Sequence, residues 1–144
     1  MKTGKLLIFA LIFVLTAAAC TPAAKAITVT IEDGKCALEG GNRIKAGNVT
    51  VTLIVNDRER QYYGISLLVL PQGKGYKDLA DAAANLMVDF PPAWSKWQGD
   101  IIGVKPGSQT EKTLDISPGH LYVVCVSGPP LAAIGVLGPV KVVK

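Results

Sequence analysis

The sequence predicts an all-β protein, a Greek-key β-sandwich of about seven or eight strands with one short inserted helix. Short apolar runs rich in β-branched residues recur along the 144-residue chain. Turn sequences containing glycine, proline or asparagine separate these runs. Only residues 76–87 have the apolar spacing of a helix. Many short strands between regularly spaced turns are typical of a sandwich.

The predicted strands follow the alternation of apolar and polar residues along the chain. Residues 27–31 alternate apolar residues with threonine, and residues 48–55 give the clearest alternation. Pro139 argues for a bulge or an edge position in the last strand. The predicted strands are 27–31, 43–45, 48–55, 65–70, 101–104, 111–116, 121–124 and 136–143.

The predicted helix ends before Pro91-Pro92, which cannot continue it. A loop follows over residues 93–97 and carries both tryptophans of the chain, Trp94 and Trp97. Two interpretations of this pair stay open. The tryptophans pack over an open end of the core, or they form a recognition surface for a partner.

The first 19 residues have the layout of a secretory signal peptide. Lys2 and Lys5 give a basic start, and residues 6–15 form an apolar run. That run is shorter than the ~20 residues that a spanning helix needs. Small residues then lead to Cys20.

Residues 17–20, Ala-Ala-Ala-Cys, resemble a bacterial lipobox, although that family usually has leucine where Ala17 stands. The resemblance implies that Cys20 carries a diacylglycerol anchor, that residues 20–26 form a tether, and that residues 27–144 form the domain. The domain would then lie in the cell envelope, on the outer face of the cytoplasmic membrane or on the outer membrane. Ordinary cleavage that leaves Cys20 free is the alternative.

Composition argues against several functional classes. The formal net charge is +4, but Lys2 and Lys5 leave with the signal peptide, so 13 basic residues face 11 acidic ones. No lysine and arginine cluster occurs along the sequence, so nucleic acid is not a predicted partner. The chain has one histidine and no glycine-rich phosphate loop, and we therefore predict that it is not an enzyme. Cys36 and Cys125 remain after Cys20, and an even pair in an exported chain favours one disulfide.

Four segments in order resemble a known fold family. The first is residues 46–56, a glycine followed by a valine-rich strand, and the second is residues 73–79, a helix start led by glycine. The third is residues 105–114, a proline-glycine turn and a strand, and the fourth is residues 118–130. The last segment contains Pro118-Gly119, a short apolar strand and Cys125. This arrangement resembles the cupredoxins, the blue-copper proteins, whose last strand ends in a copper-binding cysteine and a ligand loop.

The resemblance implies a fold whose copper ligands are mostly missing. A blue-copper centre needs two histidines, a thiolate and a weak axial ligand. By the resemblance, Tyr63-Gly64 and Pro130 stand at the two histidine positions and Gly135-Val136 in the methionine region. His120 lies five residues before Cys125, at the other end of its strand and on the opposite face. We therefore predict no copper, no other metal and no cofactor.

The family likeness also implies that Cys36 and Cys125 meet at the ligand end of the sandwich. Their disulfide would close a loop of about 90 residues and contribute ~4.5 kcal/mol in the chain-entropy account. The predicted function is a membrane-anchored module that binds an unknown protein or small molecule. The alternative is a redox or metal-handling protein that uses this cysteine pair, for example to hold Cu(I) through two thiolates.

Cys20→Ser is expected to release the domain from membranes or to leave an unprocessed precursor, because a diacyl anchor gives durable attachment. Fractionation of cells that express the wild type and the variant measures this. If the wild type and the variant were both recovered as processed protein in the soluble fraction, the lipoprotein interpretation would be wrong.

Overall fold

A computed structural model of the protein describes residues 25–144, which form nine strands and two short helices. The strands are β1 Ala26–Glu32, β2 Lys35–Glu39, β3 Arg43–Lys45, β4 Gly47–Val55, β5 Tyr62–Leu70, β6 Lys96–Val104, β7 Gln109–Ile116, β8 Gly119–Gly128 and β9 Ala132–Val143. The helices are α1 Tyr76–Ala83 and α2 Leu86–Asp89. The all-β sandwich is confirmed, with nine strands rather than seven or eight. The predicted signal peptide, Cys20 and most of the tether lie outside the described residues.

The strands form a four-stranded sheet in the order β2-β1-β4-β7 and a five-stranded sheet in the order β3-β9-β8-β5-β6. Two pairs are parallel, β1 with β4 and β3 with β9, and the other pairs are antiparallel. Ala46 alone separates β3 from β4, and its N–H donates to the carbonyl of Val143 at 2.7 Å. The chain therefore passes from one sheet to the other at a point fixed by β9.

The two ends of the sandwich are named here for use below. The base is the end where β1 and β4 begin and β9 finishes, near Ala26, Ala46 and Val143. The ligand end is the opposite one, where β5 begins beside the end of β8 and Tyr62 pairs with Gly128.

The main core lies between the sheets and is built by alternation along the strands. In β4 the inward residues Val49, Val51, Leu53 and Val55 are fully buried, while the residues between them are partly exposed. Apolar side chains at every second position therefore place one face of β4 against the opposite sheet.

A second apolar cluster covers the outer face of the five-stranded sheet. Leu79 and Ala83 of α1 pack there against Leu68, Tyr122 and Val124 of β5 and β8. These two strands are thus buried on both faces, and their sequences are continuous apolar runs rather than alternating ones. Neither α1 nor α2, the helices of the described part of the chain, is long and apolar enough to cross a membrane.

Two boundary predictions in the middle of the chain are wrong. The helix predicted for residues 76–87 is two helices, because Asn85 leaves helical geometry with φ −121° and ψ 43° and begins α2. Asparagine competes for backbone hydrogen bonds and is unfavourable inside a helix. Trp97 lies in β6, opposite Leu68, and not in a loop.

Two further differences concern the cysteines. Sequence reasoning missed β2, whose residues are exposed or only partly buried, so its alternation is weak. Cys125 was expected at the exit of its strand but lies inside β8. That strand continues to Gly128 because Tyr62 and Tyr63 lengthen β5 and pair with it.

Candidate functional site

A disulfide between Cys36 and Cys125 joins the two sheets. Cys36 lies in β2, the edge strand of the four-stranded sheet, and Cys125 lies in β8, the central strand of the other sheet. Their Cα atoms are 6.5 Å apart, within the usual range for a disulfide. Cys125 is 0% exposed and belongs to the main core, whereas Cys36 is partly exposed. The predicted pairing is confirmed, although both cysteines lie in strands.

Gly135 of β9 makes room for this bridge. It is the register partner of Cys125. A Cβ atom at this position would lie 3.2 Å from the Cβ of Cys36, which is tighter than nine in ten such contacts in proteins. Where the family resemblance would place an axial-ligand region, the chain therefore has a residue without a side chain, and the disulfide occupies the adjacent space.

A hydrogen-bonded acid lies at the same end of the sandwich. Asp57 is 6% exposed, and its Oδ1 accepts from the Tyr63 hydroxyl at 2.8 Å and from the Glu59 N–H at 3.0 Å. Its Oδ2 accepts from the Gly34 N–H at 2.7 Å. The Tyr63 hydroxyl in turn accepts from the Arg60 N–H at 3.0 Å. These bonds tie the turn between β1 and β2 to the loop before β5.

These hydrogen bonds determine the charge state of the pair. The pKa of Asp57 lies below its ordinary value of 3.8, first because the Glu59 N–H and next because the Tyr63 hydroxyl donates to the carboxylate. Burial raises the pKa of Tyr63 above its ordinary 10.0, and the hydrogen bond to Asp57 adds to that shift. Asp57 is therefore an ionised acceptor whose donors are all supplied by the protein.

Asp57 is buried although it belongs to the polar, highly charged segment 56–61, a composition typical of an exposed loop. Residues 58–61 are exposed, but Asp57 points inward to Tyr63. An Asp six positions before a Tyr gives no recognisable signal, because the contact depends on how the loop folds back. Within residues 25–144, no buried side-chain nitrogen or oxygen lacks a hydrogen-bond partner.

At the histidine positions implied by the family resemblance, Gly64 and Pro130 provide no metal-binding side chain. A Cβ added to Gly64 would lie 2.8 Å from the carbonyl oxygen of Ile101, so β6 approaches β5 too closely for a side chain there. Pro130 is exposed in the turn after β8. His120 is exposed. Tyr122 and Val124, which share its face of β8, belong to the outer apolar cluster, whereas Cys125 belongs to the main core, so His120 and Cys125 lie on opposite faces as expected.

The two tryptophans lie on the outer side of the five-stranded sheet. Trp94 packs against the second apolar cluster, and the Lys74 ammonium lies 5.1 Å from the centre of one of its rings. Trp97 is 52% exposed, and its register partner Leu68 belongs to that same cluster. Their role as a recognition surface stays a prediction.

Exposed apolar side chains also lie near the ligand end, on the outer side of the five-stranded sheet. Met87 and Val88 of α2 are 79% and 80% exposed. Beside α2 lies a groove of about 320 Å³, whose lining includes Phe90, Ile102 and Leu131. Exposed apolar side chains grouped around a groove are typical of a contact surface.

Comparison with solved structures identifies this arrangement. Auracyanin from the photosynthetic bacterium Roseiflexus castenholzii, in its dithionite-reduced crystal structure, aligns with a TM-score of 0.52 over 85% of this chain and 99% of its own, at 16% identity. The chain has a cupredoxin-like fold. Auracyanin B aligns over 73% of this chain and 79% of its own, at 14% identity and a TM-score of 0.48. No protein-family profile and no curated protein matches the sequence.

Within this cupredoxin-like sandwich, the chemistry available at the ligand end is limited. Both sulfur atoms are engaged in the disulfide, and both oxygens of the Asp57 carboxylate accept hydrogen bonds from the protein. Residues 25–144 contain no group of three histidine, cysteine, aspartate or glutamate side chains placed to hold a metal ion. The absence of copper and of any cofactor stays a prediction, and the disulfide and the hydrogen bonds of Asp57 join separate segments of the fold there.

Cys36→Ala is expected to lower the melting temperature by about 10–20 °C, because the bridge contributes ~4.5 kcal/mol in the chain-entropy account. Thermal unfolding followed by circular dichroism measures this. Ala37→Ser in the same strand is a matched control, because Ala37 is exposed and makes no bridge. The stabilising role of the bridge would be contradicted if three melting temperatures were equal, namely those of the oxidised wild type, the reduced wild type and the variant.

Asp57→Asn is expected to lower the free energy of unfolding at pH 7 by about 1–3 kcal/mol, because the amide turns a donor toward backbone N–H groups. The carboxylate's contribution is complete above its unfolded pKa and is lost as pH falls through its lower folded pKa. The difference from wild type should therefore shrink below about pH 4. Urea unfolding at several pH values tests this, with the exposed Asp115→Asn as control. A difference independent of pH would refute it.

Proposed function

We propose that this protein is a lipid-anchored envelope protein whose cupredoxin-like domain is a binding or interaction module rather than an electron carrier. The observation that carries the proposal is the state of Cys125. In the family likeness this cysteine supplies the copper thiolate, and here its sulfur is bonded to Cys36 at a fully buried position. A disulfide sulfur does not provide the thiolate that a blue-copper centre requires.

The exposed surface supports a binding role. Trp97, Met87, Val88 and Ile102 are all more than half exposed. Met87 and Val88 lie beside Leu131, and Ile102 lies near Tyr62 at the ligand end, whereas Trp97 lies nearer the base on the outer face of the five-stranded sheet. Large apolar side chains grouped on a surface favour contact with another molecule. The partner that this surface takes is a protein or a small apolar molecule, and anchoring through Cys20 would hold the module at a membrane.

A redox or metal-handling role is the second candidate, and the exposure of Cys36 favours it. Cys36 is partly exposed on an edge strand, whereas Cys125 is buried, so an attacking thiolate reaches the bridge at Cys36. Attack there would release the Cys125 thiolate and leave Cys36 in a mixed disulfide with the external thiol. A second thiol of the same external dithiol would then release Cys36 and become oxidised to a disulfide, and the two freed thiolates would be able to hold Cu(I).

Counting thiols and metal in the purified protein separates the two candidates. The binding module is expected to show Cys36 and Cys125 as one linked peptide, no bound metal, and no thiolate-to-copper absorption band after Cu(II) is added. Treatment with a mild dithiol is expected to leave the bridge intact. Separate alkylated cysteine peptides, or stoichiometric copper after mild reduction, would instead establish the redox or metal-handling role.

A further inference from the structure

Basic side chains that are scattered in the sequence come together at the base of the sandwich. Register places Arg43 beside Lys141 across β3 and β9, and Lys141 beside His120 across β9 and β8. All three are exposed, and the next residues along their strands belong to the main core. Lys45 lies two positions beyond Arg43 on the same face. Arg43, Lys45, Lys141 and His120 are called the basal row below.

Within the described chain, the basal row has no acidic partner. The salt bridges of residues 25–144 pair Lys74 with Asp78, Lys77 with Asp81 and Lys112 with Asp100. The first 24 residues contain no aspartate or glutamate. Arg43 and Lys141 are like charges at directly paired positions, an arrangement that destabilises a sheet. An anion supplied from outside the protein would remove that repulsion.

The basal row lies at the end of the sandwich where the chain arrives from Cys20. The carbonyl of Lys25 accepts from the Thr50 N–H at 2.9 Å, which fixes residue 25 beside the first half of β4. The five residues from Cys20 to Lys25 span at most about 18 Å when fully extended. The nine residues of β4 extend about 30 Å from the base toward the ligand end. A lipid on Cys20 therefore holds the base near the membrane.

We propose that the basal row docks the domain on the anionic phospholipid headgroups of the membrane that carries Cys20. This inference rests on the lipid anchor of the proposed function. Anionic headgroups attract lysine and arginine at short range, within a Debye length of about 8 Å at physiological salt. With the base held down, the ligand end and α2 face away from the membrane, where a partner can reach them.

Vesicle binding tests this docking without the anchor. The protein used begins at residue 20 and carries Cys20→Ser, and it keeps both sheets, since all nine strands lie within residues 26–143. Its binding to phosphatidylcholine vesicles is compared with binding to vesicles that also contain phosphatidylglycerol. The test variant is R43Q/K45Q/K141Q. The control is K35Q/R58Q/K105Q, which removes the same charge from exposed positions at the ligand end.

Wild type and control are expected to bind the anionic vesicles, and the test variant about 100-fold more weakly. This figure is about 5-fold for each removed charge, or ~1 kcal/mol each. Added salt should weaken binding. The proposal would be overturned if both variants lost the same affinity for anionic vesicles, or if the wild type bound neutral vesicles as tightly as anionic ones. Binding of the wild type to a soluble polyanion but not to vesicles would overturn it as well. Melting curves verify that both variants fold.

Failure of the anchor is measured separately from failure of the docking. The mass of the full processed protein reports whether Cys20 carries lipid. A free Cys20 would refute the proposed anchoring and, with it, the membrane as the physiological partner. The basal row's affinity for anionic headgroups is decided by the vesicle comparison alone.

Discussion

The bridge from Cys36 to Cys125 is the constraint on which the ligand end of this sandwich depends. It connects an edge strand of one sheet to the central strand of the other, and 89 positions of sequence separate its cysteines. Gly135 leaves the space that it fills, and Asp57 ties the adjoining turn to β5 through Tyr63. A covalent link and a set of charge-assisted hydrogen bonds thus hold together an end that cupredoxins organise around a metal.

The two ends of the domain differ in chemistry. At the ligand end, buried polar groups are satisfied internally, and the exposed surface near α2 is largely apolar. At the base, the charged groups of β3 and β9 are exposed and paired with one another only by position. The first surface suits contact with an apolar partner, and the second suits contact with an anionic one. The fold places α2 and the basal row toward opposite ends of the sandwich.

Sequence reasoning reached the fold where alternation or residue counting gave a clear signal. Alternation in residues 48–55 predicted β4, and an even pair of cysteines together with the family likeness predicted the bridge. It failed where alternation is weak and where a contact depends on strand register or on how a loop folds back. The weak alternation of β2 hid that strand, and Asp57 lies in a charged segment that gives no sign of an inward turn. The basal row has no trace in the sequence, because strand register alone brings residues 43, 120 and 141 together.

The close approach of β6 to Gly64 bears on how this scaffold relates to copper-binding ones. Only 2.8 Å separates the Ile101 carbonyl oxygen from the point where a Cβ would stand. Introducing a histidine at position 64 requires β6 to move, and a thiolate at Cys125 requires its release from Cys36. Each change alone destabilises the domain without creating a metal site. A side chain at position 64 and a free thiol at Cys125 therefore call for two coupled changes, and a variant with only one of them is expected to be less stable than the present domain.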